Sequence, residues 1–167
     1  MVKNLLKACF MMAALTAAGQ AAAETYTVGS GGTYRPFEFE NSQKQLEGFD
    51  IDIIKAIAKA EGFDVKLVNT PWEGIFATLN TGDRDIIISG ITITDKRKQM
   101  VDFSAPYFPA EQSIVVAQDS KVDSLAALKN EKVGVVNSST GDIVVSEMLG
   151  KNSTAIKRFD NTPLMLQ

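Results

Sequence analysis

The sequence contains no histidine and a single cysteine, Cys9. The usual zinc sites and the histidine-based triads are therefore excluded. One cysteine cannot form an internal disulfide, and Cys9 lies in an N-terminal segment that reads as removable. Catalysis, if any, would have to run on carboxylates, Lys, Arg or Tyr. An excess of positive charge is also missing: 17 basic residues stand against 20 acidic ones, a net charge of −3. That balance offers no basic stripe for nucleic acid. A bilayer-spanning run is absent too, because the apolar stretch from Ala8 to Ala18 falls short of the roughly 20 residues a span needs.

What the first 23 residues do contain is a basic start at Lys3 and Lys7, that short apolar core, and the small residues Ala21, Ala22 and Ala23. This is the pattern of a secretory signal cleaved after Ala23. No cysteine follows the apolar core, so lipid anchoring is not expected. The remainder is expected to be exported, soluble and free of disulfides.

Beyond the signal, short β-branched runs alternate with helical patterns, which argues for βαβ units and a mostly parallel sheet, an α/β class. Tyr26 to Val28 reads as a strand entering the glycine turn Ser30-Gly31-Gly32-Thr33. The spacing of Ile53, Ile54, Ile57 and Ala58 predicts a helix from near Asp50 to Gly62. Asp64 to Val68 reads as a strand, Glu73 to Asn80 as a helix burying Ile75, Phe76 and Leu79, and Asp85 to Ser89 as an apolar strand buried on both faces. The pattern then restarts. Strands are expected at Ser113 to Ala117, Lys132 to Val136 and Thr154 to Phe159. Helices are expected at Ser124 to Lys129 and Asp142 to Leu149, with another capped and opened by Thr162-Pro163. Two blocks joined near residues 110 to 115 suggest two lobes, 24–112 and 113–167. The second block stops as a helix begins, so the chain reads as a fragment.

The stretch Ile86 to Phe108 is the richest in chemistry. Its strand ends in Ser89-Gly90, and Thr92, Thr94 and Arg97 follow. In open α/β sheets ligands bind beyond the carboxyl ends of the strands. Thr94 can cap a helix beginning at Asp95. Such a turn offers N–H groups, hydroxyls and one guanidinium, which can hold a carboxylate by two parallel bonds. From spacing alone Arg97 could equally be a surface charge beside Lys96 and Lys98. Tyr34 and Trp72 follow other strand ends, beside Pro36 and Pro71. Their rings could clamp a ligand and attract its ammonium group, or simply pack. Asn137 to Gly141 is a second strand-to-helix turn with free N–H groups, facing from the other block.

The segments YRPFEF, LEGFDIDIIKAIAKAEG, SGITITDKRKQMVDFSAPYF and KVGVVNSSTGD resemble the polar amino-acid binding proteins of ATP-driven importers, solute-binding protein family 3. The resemblance spans nearly the whole chain after the signal. It implies the two-lobed type-II periplasmic binding-protein fold, hinged to close on its ligand, with the second lobe incomplete here and the first lacking its C-terminal return. It implies that Arg97, the Gly90 backbone and the Thr92 hydroxyl clasp the ligand α-carboxylate. Ser89 would offer its carbonyl to the α-ammonium, Tyr34 and Trp72 would sandwich the ligand, and Thr140 would close from the second lobe.

The function implied is capture of a polar or small amino acid in the periplasm and delivery to the permease subunits of an ABC importer. The protein would be a monomer, with no catalysis, metal or cofactor. Gly31 stands where relatives selective for basic amino acids or glutamine often carry aspartate, which argues against a strongly cationic ligand. The acidic residue that usually meets the ligand ammonium would come later than Gln167, so the 167-residue chain is expected to bind weakly or not at all. The rivals on the same fold are a cyclohexadienyl-dehydratase-like enzyme and a receptor sensor domain. Glu38, Glu40 and Glu73 are the acids nearest the expected pocket, and each is expected to be solvent-exposed.

Overall fold

The first lobe is organised by a strand whose neighbours are both reached through crossovers. A computed structural model describes residues 23–167; the expected signal, but for Ala23, lies outside the described residues. Strand β1 (Thr25–Ser30) enters the glycine turn and then a small antiparallel meander, β2 (Thr33–Tyr34), β3 (Glu38–Glu40) and β4 (Leu46–Glu47). Helix α1 (Phe49–Glu61), strand β5 (Asp64–Asn69), helix α2 (Ile75–Asn80), strand β6 (Ile86–Ile87) and the helical turn α3 (Asp95–Lys98) follow. The main sheet runs β5-β1-β6, all parallel, with Val28 opposite both Leu67 and Ile86. The parallel sheet therefore forms as its β-branched runs require.

The meander was not anticipated. Its tight turn is closed by the Asn41 side-chain oxygen, which accepts from the N–H groups of Gln43 and Gln45 at 2.9 and 3.0 Å. Asn bonding backbone two residues on is the usual chemistry of such turns.

Helix α1 begins and ends as its spacing predicts. Asp50 and Asp52 sit in its first turn, where acids suit the helix dipole, and Gly62 stops it in the left-handed conformation (φ 76°) with its N–H bonded to the Ala58 carbonyl. The buried face is Ile51, Ile54 and Ala58. Ile57, expected on that face, is 45 % exposed, so Ile51 and not Ile57 completes the stripe. Ile54 packs with Val28 and Ile88 to form the core of the lobe. Helix α2 starts two residues later than expected, because Gly74 takes a left-handed φ of 80° ahead of it. The expected apolar strand at 85–89 pairs only over Ile86 and Ile87, which are half-buried.

The second lobe is a two-stranded parallel sheet, β7 (Val133–Val136) with β8 (Ile156–Phe159), joined by α4 (Thr140–Leu149) and followed by the turn α5 (Thr162–Met165). Val135, Val145 and Ile156 form its core. The expected helix near Ser124 is a 3-10 turn, Ala126–Asn130. Asn161 rather than Thr162 caps α5, accepting from the Leu164 N–H. The strand expected at 113–117 does not form: among the described residues nothing pairs with it, and Val115 is 76 % exposed. A β-branched run without a partner strand has no ladder to join.

These packing positions separate two isoleucines one helical turn apart. Ile54→Ala should destabilise the protein by about 2–5 kcal/mol and Ile57→Ala by less than about 0.5 kcal/mol, measured by denaturant unfolding.

Candidate functional site

All three strands of the main sheet are parallel, so the segments leaving their carboxyl ends emerge on one edge. That edge faces the second lobe across a cleft of about 800 Å3. Tyr34, Trp72, Ser89, Gly90, Thr92, Arg97 and Thr140, all seven residues singled out by sequence, line it. The lobes touch there. The Trp72 indole N–H donates to the Asn137 carbonyl at 2.8 Å, and the Gln112 amide donates to the Thr140 hydroxyl at 3.0 Å.

Arg97 is not a surface charge. Only 6 % of it is exposed, whereas Lys96 and Lys98 on either side are open to solvent. The four-residue helix α3 sets its direction, with Thr94 as N-cap accepting from the Arg97 backbone N–H at 3.2 Å. Its guanidinium donates to the Thr92 carbonyl at 2.8 Å and to the Ser138 carbonyl of the opposite lobe at 3.4 Å. It also stands 5.3 Å from the Trp72 ring and 5.5 Å from the Phe76 ring. Among the described residues no carboxylate pairs with it. Burial alone pushes the guanidinium pKa down from its ordinary value. A buried charge is costly unless paired. A carboxylate is an anion whose two oxygens can take parallel charge-assisted bonds from such a guanidinium.

The turn before Arg97 is held differently from expectation. Gly90 has φ 54°, and a side chain there would meet the Tyr34 ring at 3.1 Å. Glycine is needed on both counts. Its N–H donates to Asp50 Oδ2 at 2.6 Å, so in this conformation it is already taken. The Ser89 hydroxyl donates to Glu38 Oε1 at 2.7 Å and accepts from the Gly31 N–H at 3.0 Å. Tyr34 stacks on Phe37 with ring centroids 5.4 Å apart, and Trp72 meets Phe76 edge-on.

The turn of the second lobe is tied by its own side chains. The Ser139 hydroxyl accepts from the Asp142 N–H at 3.2 Å, and Asp142 accepts from the Ser138 N–H at 3.0 Å while pairing with Arg158 at 2.9 Å. Burial raises the Asp142 pKa, but the Arg158 guanidinium and the Ser138 N–H outweigh it and hold the carboxyl below its ordinary value.

Two acids were misread or missed. Glu38, expected in solvent, is 2 % exposed and lines the cleft, and among the described residues its Oε2 has no hydrogen-bond partner. Burial pushes its pKa up to about 8, with the neighbouring Asp50 charge adding to the shift against the lowering Ser89 bond. Asp50 is also raised by burial, opposed by the Gly90 N–H and the Tyr107 hydroxyl that donate to it. No local signal marks either residue: a glutamate in a three-residue strand and an aspartate in a first helical turn usually face water.

Residues 26–162 match the family of bacterial extracellular solute-binding proteins, family 3. The chain belongs to that family. A probable histidine-binding protein of Neisseria gonorrhoeae is 46% identical over 145 residues, 86% of this chain and 54% of its own length. This family-3 chain thus spans about half the length of the curated relatives it matches. Among solved structures, the arginine-, lysine-, histidine-binding protein ArtJ of Geobacillus stearothermophilus superposes with a TM-score of 0.81 at 39% identity, over 86% of this chain and 61% of that one. An ancestral amino acid-binding protein, a precursor of cyclohexadienyl dehydratase, does so with a TM-score of 0.79 at 41% identity, over 86% and 64%. The fold is accordingly the two-lobed one of periplasmic binding proteins of type II.

The buried glutamate has a consequence for stability. A carboxyl raised in the folded state binds its proton more tightly there than in the unfolded chain. Its contribution is therefore fully present below the ordinary glutamate pKa of 4.5 and is lost as pH rises towards about 8. Stability should fall with pH across that window by at most about 1.4 kcal/mol per pH unit from this group. Glu38→Gln should remove that slope in denaturant unfolding at stepped pH; an unchanged slope would place the titration elsewhere.

Proposed function

We propose that this protein captures a polar or small amino acid outside the cytoplasm and delivers it to the permease subunits of an ABC importer. The observation that carries the reading is Arg97: a guanidinium almost wholly buried at the meeting of two lobes, with no carboxylate beside it among the described residues. An α-carboxylate supplies the missing charge. Thr92 and Thr140 line the same cleft, Trp72 and Tyr34 supply apolar walls, and the Ser89 carbonyl is the acceptor assigned to the α-ammonium. Hinge closure would exclude water and strengthen each charge-assisted bond, giving the ligand its differential affinity for the closed state. Periplasmic residence and the cleaved signal at 1–23 belong to the same reading.

The relatives' names shift the choice of ligand. They include histidine-, arginine- and lysine-binding proteins, whereas Gly31 argued against a strongly cationic ligand. Glu38 supplies an acid in the cleft wall that the sequence argument had placed in solvent. Histidine, arginine and lysine are therefore the first amino acids to test.

Titration calorimetry with the twenty amino acids, on the exported protein produced from its complete reading frame, should give tight binding of one or a few. Arg97→Ala should weaken that binding by about thirtyfold or more, the usual cost of truncating one half of a buried charge pair. Undiminished affinity in the variant would remove the carboxylate assignment. The enzyme reading keeps one feature in its favour: Glu38 is buried at the cleft wall, and burial pushes its pKa up to about 8. Turnover of prephenate or arogenate would establish it and displace the pure binder.

A further inference from the structure

Behind the Ser89-Gly90 turn, Asp50 and Tyr107 stand outside the cleft lining and join Glu38 of the cleft wall in a cluster whose first two members the binding reading does not use. Asp50, fully buried in the first turn of α1, accepts from two donors of different origin. One is the Gly90 N–H at 2.6 Å, the other the Tyr107 hydroxyl at 3.0 Å. Tyr107 belongs to the extended segment that runs on through Phe108 and Pro109 into the crossing between the lobes. Glu38, from β3, holds the same turn through the Ser89 hydroxyl at 2.7 Å. Asp50 thus stands where the turn that carries the site meets the chain that leaves the lobe.

We propose that Asp50 and Tyr107, backed by Glu38, are positioning residues: they fix the left-handed Gly90 turn in the shape that aims Thr92 and Arg97 into the cleft, and they tie that shape to the start of the interlobe crossing. The effect on affinity rests on the binding reading above; the effect on the turn does not.

The groups facing the cluster are Glu38 from β3, Asp50 from α1, the Ser89 hydroxyl and Gly90 N–H from the turn, and the Tyr107 hydroxyl from the extended segment. Among the described residues no lysine or arginine pairs with either carboxylate. Two buried carboxyl groups with no cation between them cannot both ionise without cost, so the cluster keeps one proton. Burial and the Asp50 charge push the Tyr107 hydroxyl pKa up, so it remains a donor. Ionisation of Glu38, centred on about 8, sets a second negative charge beside Asp50 and strains the turn. The device is tight below that pH and slack above it.

The test uses the exported protein from its complete reading frame, first without ligand. By NMR, the Gly90 amide resonance should titrate near pH 8 in the wild type and stay flat in Glu38→Gln. Gly90 hydrogen exchange should quicken about tenfold in Asp50→Asn, which puts an NH2 donor in place of one of the two oxygens that accept from Gly90 and Tyr107, and severalfold in Tyr107→Phe. Calorimetry with L-histidine and L-arginine should show about tenfold weaker binding in Asp50→Asn. A decline of wild-type affinity between pH 7 and 8.5 should disappear in Glu38→Gln, a response that a merely structural role would not produce. Should Asp50→Asn fail to fold, Tyr107→Phe and Glu38→Gln carry the test. Unchanged Gly90 exchange in the folded variants, or a wild-type Gly90 resonance flat from pH 6.5 to 9, would overturn the proposal. The expected Gly90 responses in a protein that binds neither amino acid would support the turn device and overturn the binding reading alone.

Discussion

A guanidinium taken out of water must be repaid by an opposite charge or by enough hydrogen bonds to replace its hydration, and Arg97 has only part of that compensation from within the chain. Two carbonyls, Thr92 in its own turn and Ser138 across the cleft, accept from it, and two aromatic rings lie within 5.5 Å. None carries a full negative charge. Much of the architecture can be understood as the means of keeping that cation in place. The parallel sheet delivers the turn, Thr94 caps the short helix that aims the side chain, and the second lobe closes the cleft opposite with a turn fixed by Asp142 and Arg158.

The compensation is layered. Directly behind the cation-bearing turn sit two carboxyl groups that do not neutralise Arg97, since neither is paired with it. They bond to the backbone and hydroxyl groups of the turn instead. Such an arrangement separates two tasks, leaving the guanidinium free to meet an incoming anion while the acids fix the loop geometry. Acids in direct contact with Arg97 would satisfy it and compete with any ligand carboxylate.

Much of this was legible in the residues. Runs at 26–28 and 64–68 and the stop at Gly62 placed the sheet and α1, and the strand-end turns named seven residues that line the cleft. Three things were not legible. The meander at 33–47 depends on Asn41 satisfying two N–H groups of its own turn, a local bond with no periodic signature. The run at 113–117 has the composition of a strand, but composition cannot supply a partner ladder. The burial of Glu38 and Asp50 depends on contacts 51 and 40 residues away in sequence, with Ser89 and Gly90, and a pattern read over one turn of helix or strand cannot reach that far. The Gly90 amide, expected to face the ligand, turns inward for the same reason.

The central claim is that Arg97 awaits the α-carboxylate of an amino acid rather than an anion of some other kind. Comparing each amino acid with its decarboxylated counterpart tests this without altering the protein. Calorimetry should show that L-histidine or L-arginine binds while histamine and agmatine, which keep the amino group and side chain but lack the carboxylate, bind at least about a hundredfold more weakly. Histamine or agmatine binding as tightly as its parent amino acid would contradict the account.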